Sequence, residues 1–375
     1  MKKVLFLSNS SGGLYNFRKE LVEELINRGF DVHISSPRGS KIDLFQEMGA
    51  KYIETPVDRR GMNLISDLKL ILKYRNIIKK VNPDIVLTYT IKPNIYGSIA
   101  CRWTKKPYLN NITGLGSAFI KSGLLSRILM IMYKIAFKKS RLVFFQNNDN
   151  LNYMLGKGAV SGLYRLIPGS GVNLDRFEYT PYPENSDTIV FNFVGRVMKD
   201  KGVDDYLAAA RTIKQKYPAT RFNIIGSVES SQSYYEGIIA EHEKQGFIEY
   251  LGYQKDIAPF LAESHCIIHP SHGGEGMSNV LLETAATGRA LIAADISGCR
   301  EIIDQDENGY LFKAGDADQL VGVIEEFLSL SHQEKAEMGK RSREKVEREF
   351  DRRIVVDSYL EEIDKILRTG NRGGQ

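Results

Sequence analysis

The sequence predicts an α/β protein built of two doubly wound domains. Three observations carry this: a length of 375 residues, short strand-like runs that alternate with helical patterns, and a Pro- and Gly-punctuated break near the middle after which the alternation restarts. A chain this long exceeds what one core usually organises. Hydrophobic residues at 42% and charged residues at 26% supply material for two cores and carry no signature of disorder.

In chain order the alternation reads KVLFLSN as strand, FRKELVEELINRG as helix, DVHISSP as strand, SKIDLFQEMGA as helix and KYIETPV as strand; DIVLTYT and RLVFFQN follow as strands. The runs are continuous rather than alternating in polarity, as a parallel sheet covered on both faces requires. Residues 59–80 and 121–141 carry aliphatics at helical spacing with Lys and Arg between them. PGSGVNLDRFEYTPYPENSD breaks the pattern at 168–187, and a second series runs through TIVFNFVGR, TRFNIIGS, FIEYLGY, SHCIIHPS and ALIAAD. A charged, periodic helical region covers 333–367. The expected boundaries are a first domain at 1–175, a second at 176–350, a C-terminal helix at 351–368 packing back towards the first domain, and a disordered tail at 369–375.

Composition excludes several classes. The three cysteines, Cys101, Cys266 and Cys299, have no pairing or CxxC spacing, which points to a reducing compartment and away from a cysteine metal site. MKKVLFLSNS turns polar too soon for a signal peptide, and the apolar stretch 124–137 is interrupted by Arg127 and Lys134 and falls short of a membrane span. A cytoplasmic location is expected. The small net charge of +5 hides an asymmetry: residues 1–170 hold 27 Lys+Arg against 11 Asp+Glu, whereas residues 171–375 hold 24 against 35. The basic half suits an anionic surface, although each basic helix alone reads equally as an amphipathic helix with solvated cations.

In an open parallel sheet, ligands bind beyond the carboxyl ends of the strands, on helix N-termini whose free N–H groups favour anions. Three strand-to-helix turns are therefore of interest. In HPSHGGEGMSNVLLE, at 269–283, a glycine-rich loop ends where Ser278 or Asn279 can cap a helix, with Glu275 in the loop and Glu283 about 10 Å further along. Carboxylates accept hydrogen bonds from vicinal hydroxyls, and the intervening amides suit a diphosphate. Dipole compensation by Glu275 and a surface role for Glu283 are the plainer alternative. In VGRVMKDKGVDD, Arg196 and Lys201 stand beside Gly195 and Gly202, where two cations neutralise a departing diphosphate. In SNSSGGLYNFR, Gly12 and Gly13 lead into a helix in which Arg18 either reaches a phosphate or coats the surface. The histidines His265, His269 and His272 fall four and three residues apart, a weak pattern for zinc on a strand and turn. Asp304-Gln305-Asp306 reads as a polar turn.

Gly195, Arg196, Lys201 and Gly202, the element EGMSNVLLE, PGSGVNLDRF near the linker, and ISGCREII with ENGYLF together resemble the retaining, nucleotide-sugar-dependent glycosyltransferases of family 4. The resemblance covers nearly the whole chain. It implies the GT-B fold: two Rossmann-like doubly wound domains facing across a cleft, the first binding acceptor and the second a nucleotide sugar. It also implies roles. Arg196 and Lys201 attend the donor diphosphate, Glu275 the donor-sugar hydroxyls and Glu283 the ribose diol. Gly276, Met277, Ser278 and Asn279 hold phosphates and sugar through the backbone, and Tyr253 and Gln254 hold the base. Gly12, Gly13, Arg18 and Thr113 are assigned to acceptor or phosphate.

Many relatives carry a histidine near Thr113; here the stretch is NNITGLGSAF. LYNFR and GLGSAF resemble a subgroup that extends undecaprenyl-diphosphate-linked glycans. The expected activity is therefore metal-independent, retaining transfer of a hexosyl or N-acetylhexosaminyl group from a UDP-sugar to such an acceptor, peripherally on the inner face of the plasma membrane. No metal or other cofactor and no nucleic acid is expected. The rivals are a UDP-sugar 2-epimerase of the same fold, an electrostatic nucleic-acid binder, and a nicotinamide oxidoreductase that the missing GxGxxG disfavours.

Overall fold

The computed structural model describes residues 1–58, 63–115, 123–184, 187–273 and 276–370. The chain forms two compact units: Met1–Ser170 with Gly274–Met277 and Arg353–Gln375, and Gly171–Gly273 with Ser278–Arg352.

The first unit holds β1 (Lys3–Leu7), β2 (Asp31–Ser36), β3 (Lys51–Glu54), β4 (Ile85–Tyr89), β5 (Tyr108–Ile112), β6 (Leu142–Phe145) and β7 (Tyr164–Leu166). They pair in parallel in the order β3-β2-β1-β4-β5-β6-β7. Successive residues of β1 face opposite cores: Val4 and Phe6 join the helix Ser11–Asn27, while Leu5 and Leu7 join the helices Leu64–Val81 and Leu124–Phe137. Two covered faces explain the continuous apolar runs. Asn63 caps the helix Leu64–Val81 by accepting from the Ile65 and Ser66 amides, and Asn82 ends it in the left-handed region at φ 52°.

The second unit holds β8 (Ile189–Val194), β9 (Thr220–Ile225), β10 (Glu249–Gly252), β11 (Cys266–His269), β12 (Ala290–Ala294) and β13 (Gly309–Phe312), parallel in the order β10-β9-β8-β11-β12-β13. Strand order reverses between β1 and β4 in the first sheet and between β8 and β11 in the second, which marks the switch points where ligands bind.

The helical region expected at 333–367 is two helices, His332–Glu349 and Arg352–Gly370. Val172 separates them, donating its amide to the Phe350 carbonyl and accepting from the Arg352 amide. The second helix gives Val355, Tyr359, Leu360 and Ile363 to the first unit's core. It continues through Gly370, with the Thr369 hydroxyl donating to the Lys365 and Ile366 carbonyls.

Candidate functional site: the second unit's switch point

The turn after β8 runs through Gly195 and Arg196 to a short 3-10 turn, Lys199–Lys201, and then Gly202 and the helix Val203–Lys216. The turn after β11 runs from Pro270 to Ser278 and opens the helix Asn279–Ala286. The two turns are joined. The His272 amide donates to the Asp200 carbonyl at 3.0 Å, and the His272 imidazole pairs with Asp205 at 2.7 Å. Gly202 has φ 71°, and a Cβ there would fall 1.9 Å from the Pro270 carbonyl oxygen, so only glycine permits the approach.

Ser278 is the N-cap residue by backbone, but its side chain does not cap the helix. Its hydroxyl instead meets His269 Nε2 at 3.2 Å. The Ser278 amide donates to the Gly298 carbonyl at 2.8 Å, and among the described residues no side chain caps the amides from Asn279 onward, the condition in which a helix N-terminus takes a phosphate. Asn279 and Glu283 lie four residues apart, hence on one helix face. Asn279 Oδ1 is buried with no described hydrogen-bond partner. Glu283 forms no salt bridge with a described residue, and burial pushes its carboxyl up to about 7, against the opposing pull of Arg176 and Arg352. The buried Asn279 Oδ1 and the half-buried Glu283 on one face suit a ligand rich in hydroxyl donors.

Arg196 is 57% exposed and its Nη1 meets Glu229 Oε2 at 2.6 Å. Glu229, 9% exposed, follows β9, and the Gly195 and Val197 amides donate to the Ile225 and Ser227 carbonyls. Gly226 admits this contact: a Cβ there would lie 1.8 Å from the Gly195 carbonyl oxygen. Sequence reading misses Glu229, yet β8 and β9 are parallel neighbours with Val194 opposite Ile225, so an acid just past β9 is a candidate partner for a cation just past β8. Lys201 is half-buried at the end of its 3-10 turn.

The remaining expected residues fall as follows. Glu275 lies outside the described residues. Tyr253 follows β10 with its ring 71% exposed, and Gln254 donates to the Leu251 carbonyl at 2.6 Å. Gly276 and Met277 cluster with the first unit, where the Asn147 side-chain amide donates to the Gly276 carbonyl and Gly276 lies against Thr113 at the end of β5.

Gly12 and Gly13 do not precede the first helix but form its first turn, and Ser10 already accepts the Gly13 amide at 3.0 Å. Arg18 does not coat the surface. It is 3% exposed and lies against the Tyr89 and Tyr359 rings, because the C-terminal helix covers its side of the sheet.

The three histidines do separate jobs. His265 Nδ1 accepts from the Val190 amide and burial pushes its imidazole down to about 4, His269 meets Ser278, and His272 pairs with Asp205. No described group of three or more His, Cys, Asp or Glu is placed to hold a metal. Asp304 pairs with Lys345 at 2.6 Å, within a turn where Asp306 has φ 64°.

Two family descriptions match: "Glycosyl transferase 4-like" at residues 3–147 and "Glycosyl transferases group 1" at 177–345. The chain belongs to the family-4-type glycosyltransferases of GT-B fold, with two Rossmann-like domains. Among characterised relatives it is 25% identical to the N,N'-diacetylbacillosaminyl-diphospho-undecaprenol alpha-1,3-N-acetylgalactosaminyltransferase of Campylobacter jejuni, covering 98% of this chain and 99% of that protein. It is also 25% identical to the capsular polysaccharide biosynthesis glycosyltransferase CapM of Staphylococcus aureus, over 93% of this chain and 92% of the relative. Its fold matches a glycosyltransferase from Rickettsia africae with TM-score 0.82, 22% identity and 98% coverage of both chains. Anabaena HepE, solved with UDP, matches with TM-score 0.80, 17% identity and coverage of 97% and 100%.

Proposed function

We propose that this glycosyltransferase moves a hexosyl or N-acetylhexosaminyl group from a UDP-sugar to a glycan carried on undecaprenyl diphosphate, with retention of anomeric configuration. One observation carries the donor assignment. At the second sheet's switch point a helix begins with amides that Ser278 does not cap and aligns two acceptors, the buried Asn279 Oδ1 and the half-buried Glu283, on one face. The relatives' names support the acceptor class, and the UDP-bound fold neighbour supports the nucleotide.

The donor diphosphate lies at the amino end of the helix Asn279–Ala286, on amides from Asn279 onward because the Ser278 amide donates to the Gly298 carbonyl at 2.8 Å, with Arg196 and Lys201 neutralising it. Glu283 accepts from the ribose diol. Glu275 attends the sugar, Tyr253 and Gln254 attend the base, and Thr113 lies on the acceptor side. In the reaction the bond from the anomeric carbon to the β-phosphate oxygen breaks. The acceptor oxygen bonds to that carbon on the same face, and its proton passes to the departing phosphate oxygen. Developing charge on that oxygen is where two fixed cations act most strongly. They fill the neutralising role that a divalent cation fills in other transferases, so chelation with EDTA should leave turnover unchanged.

The basic first unit brings the enzyme to the anionic inner face of the plasma membrane, a peripheral placement consistent with the absence among described residues of a helix long and apolar enough to cross a bilayer.

The test is product analysis with a panel of UDP-sugars, with and without lipid-diphosphate-linked acceptors. Glycosylated lipid formed only with acceptor supports the reading. An epimerised UDP-sugar released without acceptor would replace it with the epimerase. Lys201→Ala should lower kcat far more than UDP affinity, and equal losses would remove Lys201 from the leaving-group role.

A further inference from the structure

A cavity of about 920 Å³ opens on the first unit at the amino-terminal ends of β5 and β6, the rim opposite the strand-to-helix turns. Six cations line it, Arg102, Lys105, Lys106, Lys138, Lys139 and Arg141, and among the described residues no acid does. Lys105, Lys138, Lys139 and Arg141 are exposed. Two helices, Ser98–Thr104 and Leu124–Phe137, end at the cavity. Compensating their dipoles takes one or two cations each within the last turn; six cations facing one volume without a counter-charge exceed that need.

The cavity's walls are not only basic. Trp103, 53% exposed, and Ile135, 48% exposed, also line it. Ile135 ends an exposed apolar stripe, Leu124, Ile128, Ile131 and Ile135, spaced at four, three and four residues along one helix face. The stripe runs about 17 Å from the sheet's carboxyl rim to the cavity. Arg127, Lys134 and Lys138 flank it, all exposed. On the same sheet face, the helix Leu64–Val81 exposes Leu64, Ile65, Leu68 and Leu72 beside Lys69 and Lys73. Apolar stripes edged by cations match a bilayer's interface, where acyl chains lie beneath anionic headgroups. A second copy of this basic face would meet it with like charge.

We propose that the cavity is a binding site for the phosphate-bearing headgroup of an anionic glycerophospholipid, whose acyl chains lie along the stripe ending at Ile135 and Trp103. The proposal deepens the membrane reading above and rests on it. The cavity lies at the rim of the first sheet opposite Thr113, so it selects the membrane without taking part in the transfer.

Trp103 is the protein's single tryptophan, so intrinsic fluorescence reports on the cavity directly. Full-length protein is mixed with phosphatidylcholine vesicles with and without phosphatidylglycerol, and both sedimentation and Trp103 emission are followed. The parent should co-sediment with the anionic vesicles and its emission should shift to the blue. Lys105→Glu/Lys139→Glu should cut co-sedimentation at least about tenfold and abolish the shift. Lys79→Glu/Lys80→Glu, with equal charge change at exposed positions outside the cavity, should lose less and keep the shift.

Equal losses in the two variants, or none in the first, would overturn the cavity site while leaving membrane docking standing. No preference of the parent for anionic vesicles would overturn both. Inorganic pyrophosphate producing the same shift, with vesicles producing none, would assign the cavity to a soluble phosphate and overturn the lipid.

Discussion

Glu283→Gln should make the free protein more stable and its nucleotide binding worse. Burial holds the Glu283 carboxyl at about 7 in the folded chain, against an ordinary 4.5. A folded pKa raised above the unfolded value means that the native state binds the extra proton, so this group's cost is absent below pH 4.5 and grows as pH rises through 7. At 1.36 kcal/mol per unit the cost above pH 7 reaches about 3 kcal/mol, an upper bound that water entry and side-chain relaxation reduce. Gln keeps the shape and removes the charge. Thermal unfolding should therefore show a gain of up to about 3 kcal/mol at pH 8, on the order of 5–10 °C for a unit of this size, shrinking to about 1 kcal/mol near pH 5.5.

In the parent a ribose diol donating to Glu283 favours the carboxylate, so UDP affinity should fall as pH drops below 7 and binding should release protons there. In the variant UDP affinity should be weaker and lose this dependence. A variant less stable than the parent by the same margin from pH 5 to 8 would refute the reasoning, because Glu283 would then be ionised and paired in the empty site.

Three further outcomes follow from the same contacts. Glu229→Gln removes the charge that holds Arg196 at 2.6 Å; turnover should fall about tenfold or more with little change in melting temperature, and a wild-type rate would show that Arg196 needs no such partner. Arg289 is fully buried and donates to the Thr180, Pro181, Ala262, Thr287 and Gly288 carbonyls, so Arg289→Ala should cost roughly 3–5 kcal/mol in denaturant unfolding by orphaning those acceptors. Gly202→Ala should weaken UDP binding without unfolding the chain, since its Cβ would push Pro270 and the β11 turn away from the β8 turn; calorimetry checks this.

The parts of the fold most legible in the sequence are those whose burial is apolar. β12 reads as a strand because Ala290–Ala294 is an apolar run that only a doubly covered sheet can use. β5 does not read this way, because Asn110 and Asn111 interrupt it. Both are buried, and the Asn110 side-chain amide donates to the hydroxyls of Thr88 at 2.6 Å and Ser98 at 2.8 Å, partners that only the tertiary structure supplies. The backbone partner at the break between the last two helices is hidden for a similar reason: Val172, far away in sequence, takes their hydrogen bonds.

Within the candidate site, glycines and charges in the turns are legible, whereas the direction of a side chain is not. Ser278 reads as a cap and turns to His269, and Arg18 reads as a cation that reaches a phosphate or coats the surface and lies against two tyrosine rings. Glu229 becomes visible only once β8 and β9 are known to be neighbours.

The measurement that bears most directly on the account is calorimetric titration of the protein with UDP, GDP, ADP and NAD, repeated on Glu283→Ala. UDP-selective binding that the substitution weakens is the expected result. Binding of no nucleotide, or equal binding by parent and variant, would contradict the placement of the donor on the helix Asn279–Ala286.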